Sequence, residues 1–326
     1  MSSIATPPAA AGAAELRRRG RFRPGDAVLH GLTLAAALAA VALLGLIAWK
    51  VTDQARPAIH DFGLGFLTTK TWDPGTRQIF GAAAFLFGTA VTSLGALLIA
   101  GPLSIAIALF LTELAPRWLR GPIGALVEML AAVPSVVVGL WGILVMGPFV
   151  ADHLEPFLHR TLGFIPLFRG DASIFGLLPA ILVLTIMITP IVSSVSRELF
   201  LGVPRDLKEG ALALGTTRWE MIRGVVFPYA RSGIAAALIL GLGRAVGEAI
   251  AVTQVIGGSV AIHWSLFQPG DTLASRIASQ YQGASSAKQV SAIAYLAVIL
   301  LCFSLVANIG AQAIVRRFAG RHPVAR

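Results

Sequence analysis

Six stretches almost free of charge, each about as long as a bilayer is thick, govern what this chain can become. Segments 27–49, 78–112, 172–196 and 289–315 contain no Asp, Glu, Lys or Arg. Segment 121–151 contains only Glu128, and 232–270 only Arg244 and Glu248. A hydrocarbon core about 30 Å thick takes roughly 20 apolar helical residues to cross. Six such runs within 326 residues, of which 13% are charged, leave too little polar surface to solvate a soluble fold. A mean hydropathy of +0.78 also excludes disorder as the general state. The single cysteine, Cys302, excludes a disulfide scaffold and a cysteine-based metal site. The chain is therefore expected to be all-α, a polytopic membrane protein with six transmembrane helices.

The segments order themselves along the chain. Residues 1–26 are expected to be a disordered cytoplasmic tail, and 27–49 the first transmembrane helix. That helix reads as retained, because its apolar run is longer than a signal-peptide core and no small-x-small cleavage site ends it. The other five helices fill 78–317. The second run is longer than one straight span needs; Gly101-Pro102 is positioned to kink it, and 78–84 is expected to lie partly outside. Orientation follows the positive-inside rule. With the N-terminus in the cytoplasm, inside segments carry 17 of the 26 Lys and Arg residues and outside loops 8, Arg244 being within a span. Both termini are then cytoplasmic. The net charge of +10 is divided among short flanks facing anionic lipid, so a nucleic-acid partner is not expected.

A charge in the middle of a span costs about 2.5–3.5 kcal/mol on insertion scales and marks a pathway by default. Arg244 lies thirteen residues beyond Arg231, roughly 20 Å along a helix and near the midplane. Glu248 is one turn on, on the same face, where the two can pair. They read either as a static ion pair that fixes packing or as the lining of a polar path. For a path, the planar guanidinium suits phosphate or carboxylate. Glu248 offers a competing partner that allows release, and it could accept a hydrogen bond from a protonated phosphate, which sulfate lacks. Glu128, about 12 Å along the third span from Arg120, either faces this path or bonds across helices, with Ser135 two turns further on the same face. Thr185, Thr189 and Ser193 form a stripe in the fourth span that either lines the path or bonds to neighbouring helices. Gly243 and Gly247 have the spacing of close helix packing, which also leaves room beside Arg244.

The largest inside loop, 197–231, is no polar tether. Pro204 can open a helix, Asp206 suits its first turn, Gly215 a left-handed cap, and Thr217 with Glu220 a capping box for a second helix. Leu207, Ala211, Leu212 and Leu214 give the first helix an apolar side. Such a pair reads either as a surface that presses on another protein or as an interfacial helix on lipid. Glu209-Gly210-Ala211, three residues, Gly215, nine residues, then Val225-x-Phe227-Pro228 resembles the EAA motif of ABC importer permeases, with Gly210, Val225 and Phe227 as mild departures. Phe87-Gly-Thr-Ala-Val-Thr-Ser, Glu128-Met-Leu-Ala-Ala-Val-Pro-Ser, Gly241-Leu-Gly-Arg-Ala-Val-Gly-Glu-Ala and Ser265-Leu-Phe-Gln-Pro-Gly-Asp-Thr-Leu-Ala-Ser are similar to phosphate ABC transporter permeases of the PstC type.

The resemblance runs from about residue 60 to the C-terminus. It implies a type I ABC importer permease (MetI-like) fold in a bacterial inner membrane, with 203–228 as coupling helices. Glu209, Gly210, Ala211, Gly215 and Pro228 would engage two ATPase subunits. It also implies a second related permease subunit and a periplasmic or extracellular phosphate-binding protein facing the 265–282 stretch. Arg244, Glu248, Glu128, Ser135, Thr185 and Thr189 are the expected substrate pathway. No Gly-x4-Gly-Lys-Ser/Thr occurs, so ATP coupling has to come from a separate chain. His153 and His159 lack a helical metal spacing, and no metal or cofactor is expected. A membrane enzyme would need a nucleophile–base pair near one face, which the sequence does not offer. A permease for another oxyanion and a secondary anion transporter are the alternatives, the latter weakened by the lack of visible internal duplication.

Overall fold

The computed structural model describes residues 24–75 and 77–319; the expected disordered tail and the last basic residues lie largely outside them. The chain divides into two compact units, 1–50 and 51–326. In the first, helix α1 (Pro24–Phe62) begins, and its stretch to Trp49 is the first apolar run. The helix does not stop there. It runs on through Lys50, Asp53 and Pro57, because Ala55, Ala58, Ile59 and Phe62 recur at helical spacing and pack on Phe66, Trp72 and Phe80 in the second unit's own core. The Trp72-Asp-Pro-Gly turn follows, with the Gly75 amide donating to Asp73 Oδ1 at 2.9 Å.

The second unit continues with α2 (Ala83–Leu114), α3 (Arg117–Ala131), α4 (Ser135–Leu162), α5 (Leu177–Leu201), α6 (Arg205–Ala213), α7 (Arg218–Gly247), α8 (Ile250–Val255), α9 (Leu273–Gln280) and α10 (Ala287–Ala319). By length and composition α1, α2, α4, α5, α7 and α10 each hold a stretch able to cross a bilayer. The third span differs from its expected limits at both ends. The run 121–151 is broken at Val133-Pro134, since the ring of Pro134 cannot continue a helix from the residues before it. The piece before the break is a separate amphipathic helix. At the far end α4 continues past 151 to Leu162, because Leu154 and Leu158 pack on the core and the buried Glu155 accepts the Ser173 amide at 2.8 Å.

α2 and α5 pack along one another and α7 crosses both. Small residues let the backbones approach. A Cβ on Gly95 would lie 2.9 Å from the Ile181 side chain, and one on Gly241 2.7 Å from Val192. Gly241 is therefore the tight contact of α7. Gly243 and Gly247 pack less closely: a Cβ on Gly243 would meet Asn308 Oδ1 at 3.9 Å, and among the described residues nothing lies within 4 Å of one on Gly247. Pro228 sits in the first turn of the straight part of α7, just after a π turn at Ile222–Val226, and the widened turn takes up the missing donor.

Candidate functional site: a broken span and a helical loop

α7 ends at Gly247, in the middle of its apolar stretch. Glu248 leaves the helical region (φ −74°, ψ 118°), and α8 starts two residues later. Irregular backbone at membrane depth is tolerated only where protein or a polar cavity covers it. Here Glu248 supplies part of that cover. Its Oε1 accepts the Ala251 amide at 3.3 Å, and its Oε2 lies 3.4 Å from Arg244 Nη2. The Glu248 side chain is 6% exposed and that of Arg244 50%, so the carboxylate is fixed while the guanidinium faces outward. It opens on a groove of about 880 Å³ that is otherwise mostly apolar. The two polar residues opposite are Asn308 and Gln312, one turn apart on α10. Sequence reasoning missed both, although two amides at i and i+4 in an apolar helix are a visible signal.

Of the expected pathway residues, the structure brings together Arg244 and Glu248. Glu128 is on α3, outside the third span, and its Oε1 accepts from Arg197 Nη1 at 3.1 Å. That is the cross-helix alternative, to the end of α5. Ser135 is separated from Glu128 by the Pro134 break and does not share its helical face; it opens α4. Thr185 and Thr189 are buried between helices, not on the groove, and donate to the Ile181 and Thr185 carbonyls at 2.8 and 2.6 Å. Ser193 likewise donates to the Pro190 carbonyl, and Ser104 of α2 donates to the Thr189 carbonyl at 3.1 Å. Within a packed bundle a hydroxyl has a carbonyl of its own helix in reach.

The loop between α5 and α7 has the local structure its residues dictate. Gly215 adopts φ +83°, and the capping box closes with Thr217 N donating to Glu220 Oε2 at 2.8 Å and Glu220 N to Thr217 Oγ1 at 3.3 Å. Val203, Met221, Ile222 and Val226 root it in a core with Phe200 and Ala108. Glu209, Gly210 and Gly215 are exposed, as are Leu207, Leu212, Trp219 and, at 87%, Leu214. Glu113 at the end of α2 ties this loop down, pairing with Lys208 and accepting Arg218 Nη1 on its carbonyl at 3.3 Å.

On the opposite end of α8, residues 256–282 form an ordered element pinned to α2. Leu273 N donates to Thr89 Oγ1 at 2.9 Å, and the Asp271 carbonyl sits where a Cβ on Gly88 would be, 1.9 Å away. Asp271 and Arg276 pair at 2.7 Å with side chains 1% and 9% exposed. Burial holds the Asp271 carboxyl above its usual range, with the Arg276 guanidinium pulling the other way.

Six helices long and apolar enough to cross a bilayer, one of them broken beside an ionic pair, make this a polytopic membrane protein. Residues 100–320 match the family model described as "binding-protein-dependent transport system inner membrane component", and the chain belongs to that family. It is similar to the phosphate transport system permease protein PstC of Mesorhizobium japonicum, 43% identical over 284 residues that cover 86% of each chain. The protein of the same name from Xylella fastidiosa is 41% identical over 292 residues, 88% of this chain and 89% of that one. The fold is that of ABC importer permeases. A crystal structure of a bacterial alginate ABC transporter in complex with an alginate pentasaccharide-bound periplasmic protein superposes with a TM-score of 0.60 at 18% identity, covering 90% of this chain and 97% of that one.

Proposed function

We propose that the chain is the inner-membrane permease subunit of an ABC importer that translocates inorganic phosphate, powered by separate ATPase subunits. One observation carries the reading. A permanently charged, half-exposed guanidinium projects into a groove at the break of α7, with a buried carboxylate 3.4 Å from it as a competing partner. Phosphate offers both charge for the fork of Arg244 and a proton for Glu248. Arg244 exchanges between Glu248 and the anion: capture frees the carboxylate, and return of the guanidinium to Glu248 expels the anion. The relatives named above, phosphate permeases at 41–43% identity over most of the chain, support phosphate over another oxyanion.

A second, related permease closes the groove as a heterodimer partner. Two ATPase subunits dock on the exposed face of α6 around Glu209, Gly210, Ala211 and Gly215, with Pro228 carrying the movement into α7. A phosphate-binding protein delivers from the other side. Both termini are cytoplasmic, supported by the 17 basic residues on the inside segments against 8 outside. ATP binding brings the ATPases and α6 together and opens the spans outward; hydrolysis reverses the motion. Affinity purification of the assembled complex tests this: an ATPase and a second permease should co-purify, and phosphate with its binding protein should stimulate ATP hydrolysis. Hydrolysis indifferent to phosphate would refute the substrate assignment.

A further inference from the structure

A cavity of about 380 Å³ lies at the end of α8 remote from Glu248. At about 30 Å³ per water, that is room for a tetrahedral oxyanion with part of its hydration. Arg276 lines it with a side chain only 9% exposed. The guanidinium is held in place: it stacks 4.8 Å above the Phe85 ring, and Nη2 donates to Asp271 Oδ2 at 2.7 Å and to the Gly258 carbonyl at 2.8 Å. Both bonds leave from Nη2, and among the described residues the buried Nε has no partner. Asp271 spends its oxygens inside the protein, Oδ2 on Arg276 and Oδ1 on the Thr272 amide at 2.8 Å. Asp271 lines the cavity beside Arg276, and the rest of the wall is uncharged, with Phe175 and two glycines next to polar side chains that include Gln254, Ser279 and Gln280. A fixed guanidinium with unused donor capacity, a carboxylate already engaged and a ring of amides and hydroxyls is a surface for a small oxyanion.

α8 links this cavity to the Arg244 site. Glu248 caps its first turn, and Thr253 and Gln254 at its other end line the cavity, so the two sites are separated by roughly 9 Å of helix. The chemistry repeats: at each end an arginine is paired with a carboxylate four or five residues away. We propose that the Arg276 cavity is a second oxyanion-binding station, which holds the anion on its way to or from Arg244. The proposal rests on the reading of the chain as an oxyanion permease.

Cys302 is the chain's only cysteine, so a Cys302→Ser background allows one reporter thiol. Ser279→Cys places it on the cavity wall at an exposed position. In the complete importer complex in nanodiscs, inorganic phosphate should slow modification of that thiol by an anionic methanethiosulfonate at least threefold. The protection should vanish in Arg276→Gln/Asp271→Asn, which keeps the pair's hydrogen bonding without charge, and should survive Arg244→Ala. No protection by phosphate, or protection that persists in the neutral pair, overturns the station. Phosphate-stimulated ATP hydrolysis in the same sample separates the two failures: stimulation without protection removes the station and leaves the permease reading intact.

Discussion

Lys208 on α6 reaches back to the Glu113 carboxylate at the end of α2, and both side chains are mostly withdrawn from solvent. Lys208 also donates to the Phe200 carbonyl of α5 at 3.1 Å, and Arg218 to the Glu113 carbonyl at 3.3 Å. A push on α6 is therefore delivered to α2 and α5 together. Glu113→Gln leaves a largely buried ammonium without its partner, which is worse than removing both charges. Reconstituted complexes with Glu113→Gln should hydrolyse ATP but transport several-fold less phosphate per ATP. Glu113→Gln/Lys208→Gln should recover part of the loss.

Gly215 turns the chain at φ +83°, where a proline, fixed near −65°, does not fit. Its neighbour Glu209 is exposed on the proposed docking face. Gly215→Pro and Glu209→Arg should each abolish uptake while the complex still co-purifies, since neither residue belongs to the loop's buried core. Normal uptake in both would move the ATPase contact elsewhere.

The 256–282 element depends on a missing side chain at Gly88. A methyl group there would sit 1.9 Å from the Asp271 carbonyl oxygen, and backbone has to move. Gly88→Ala should destabilise the purified protein by about 1–3 kcal/mol. Gly310→Ala in α10, where nothing lies within 4 Å, should be neutral or slightly stabilising in the same thermal unfolding assay.

Asp271 makes the same element pH-dependent. Its carboxyl is held above the usual aspartate range, chiefly by burial. The folded form then binds the proton more tightly than the unfolded one. The element is most stable below the unfolded value, loses stability as pH rises through the folded value, and is flat above it. Protection factors of 257–282, which correct exchange for its intrinsic base catalysis, should rise on acidification within that window. Asp271→Asn should remove the dependence.

The spans were legible because an uncharged run is a local property, and the capping box at Thr217 and Glu220 and the turn at Gly215 for the same reason. Charge counting did not see Pro134, which divides one run into α3 and the start of α4. It also did not see that Ala55, Ala58, Ile59 and Phe62 extend α1 past its first charges, although their spacing carries that information. Arg244 and Glu248 stood out because nothing else was charged nearby. Arg276 and Asp271 did not, since their burial depends on Phe85, Gly88 and Gly258, far away in sequence. Thr185 and Thr189 kept two readings because a hydroxyl stripe looks the same from sequence whether it faces a path or a neighbouring helix.

Phosphate uptake by the complete importer carrying Glu248→Gln tests the central claim most directly. The amide preserves size and can still cap Ala251, but it no longer competes for Arg244 as a charge. Uptake of radiolabelled phosphate should fall at least tenfold, with complex assembly and binding-protein docking unchanged. Wild-type uptake by Glu248→Gln would contradict the exchange of Arg244 between its carboxylate and the anion.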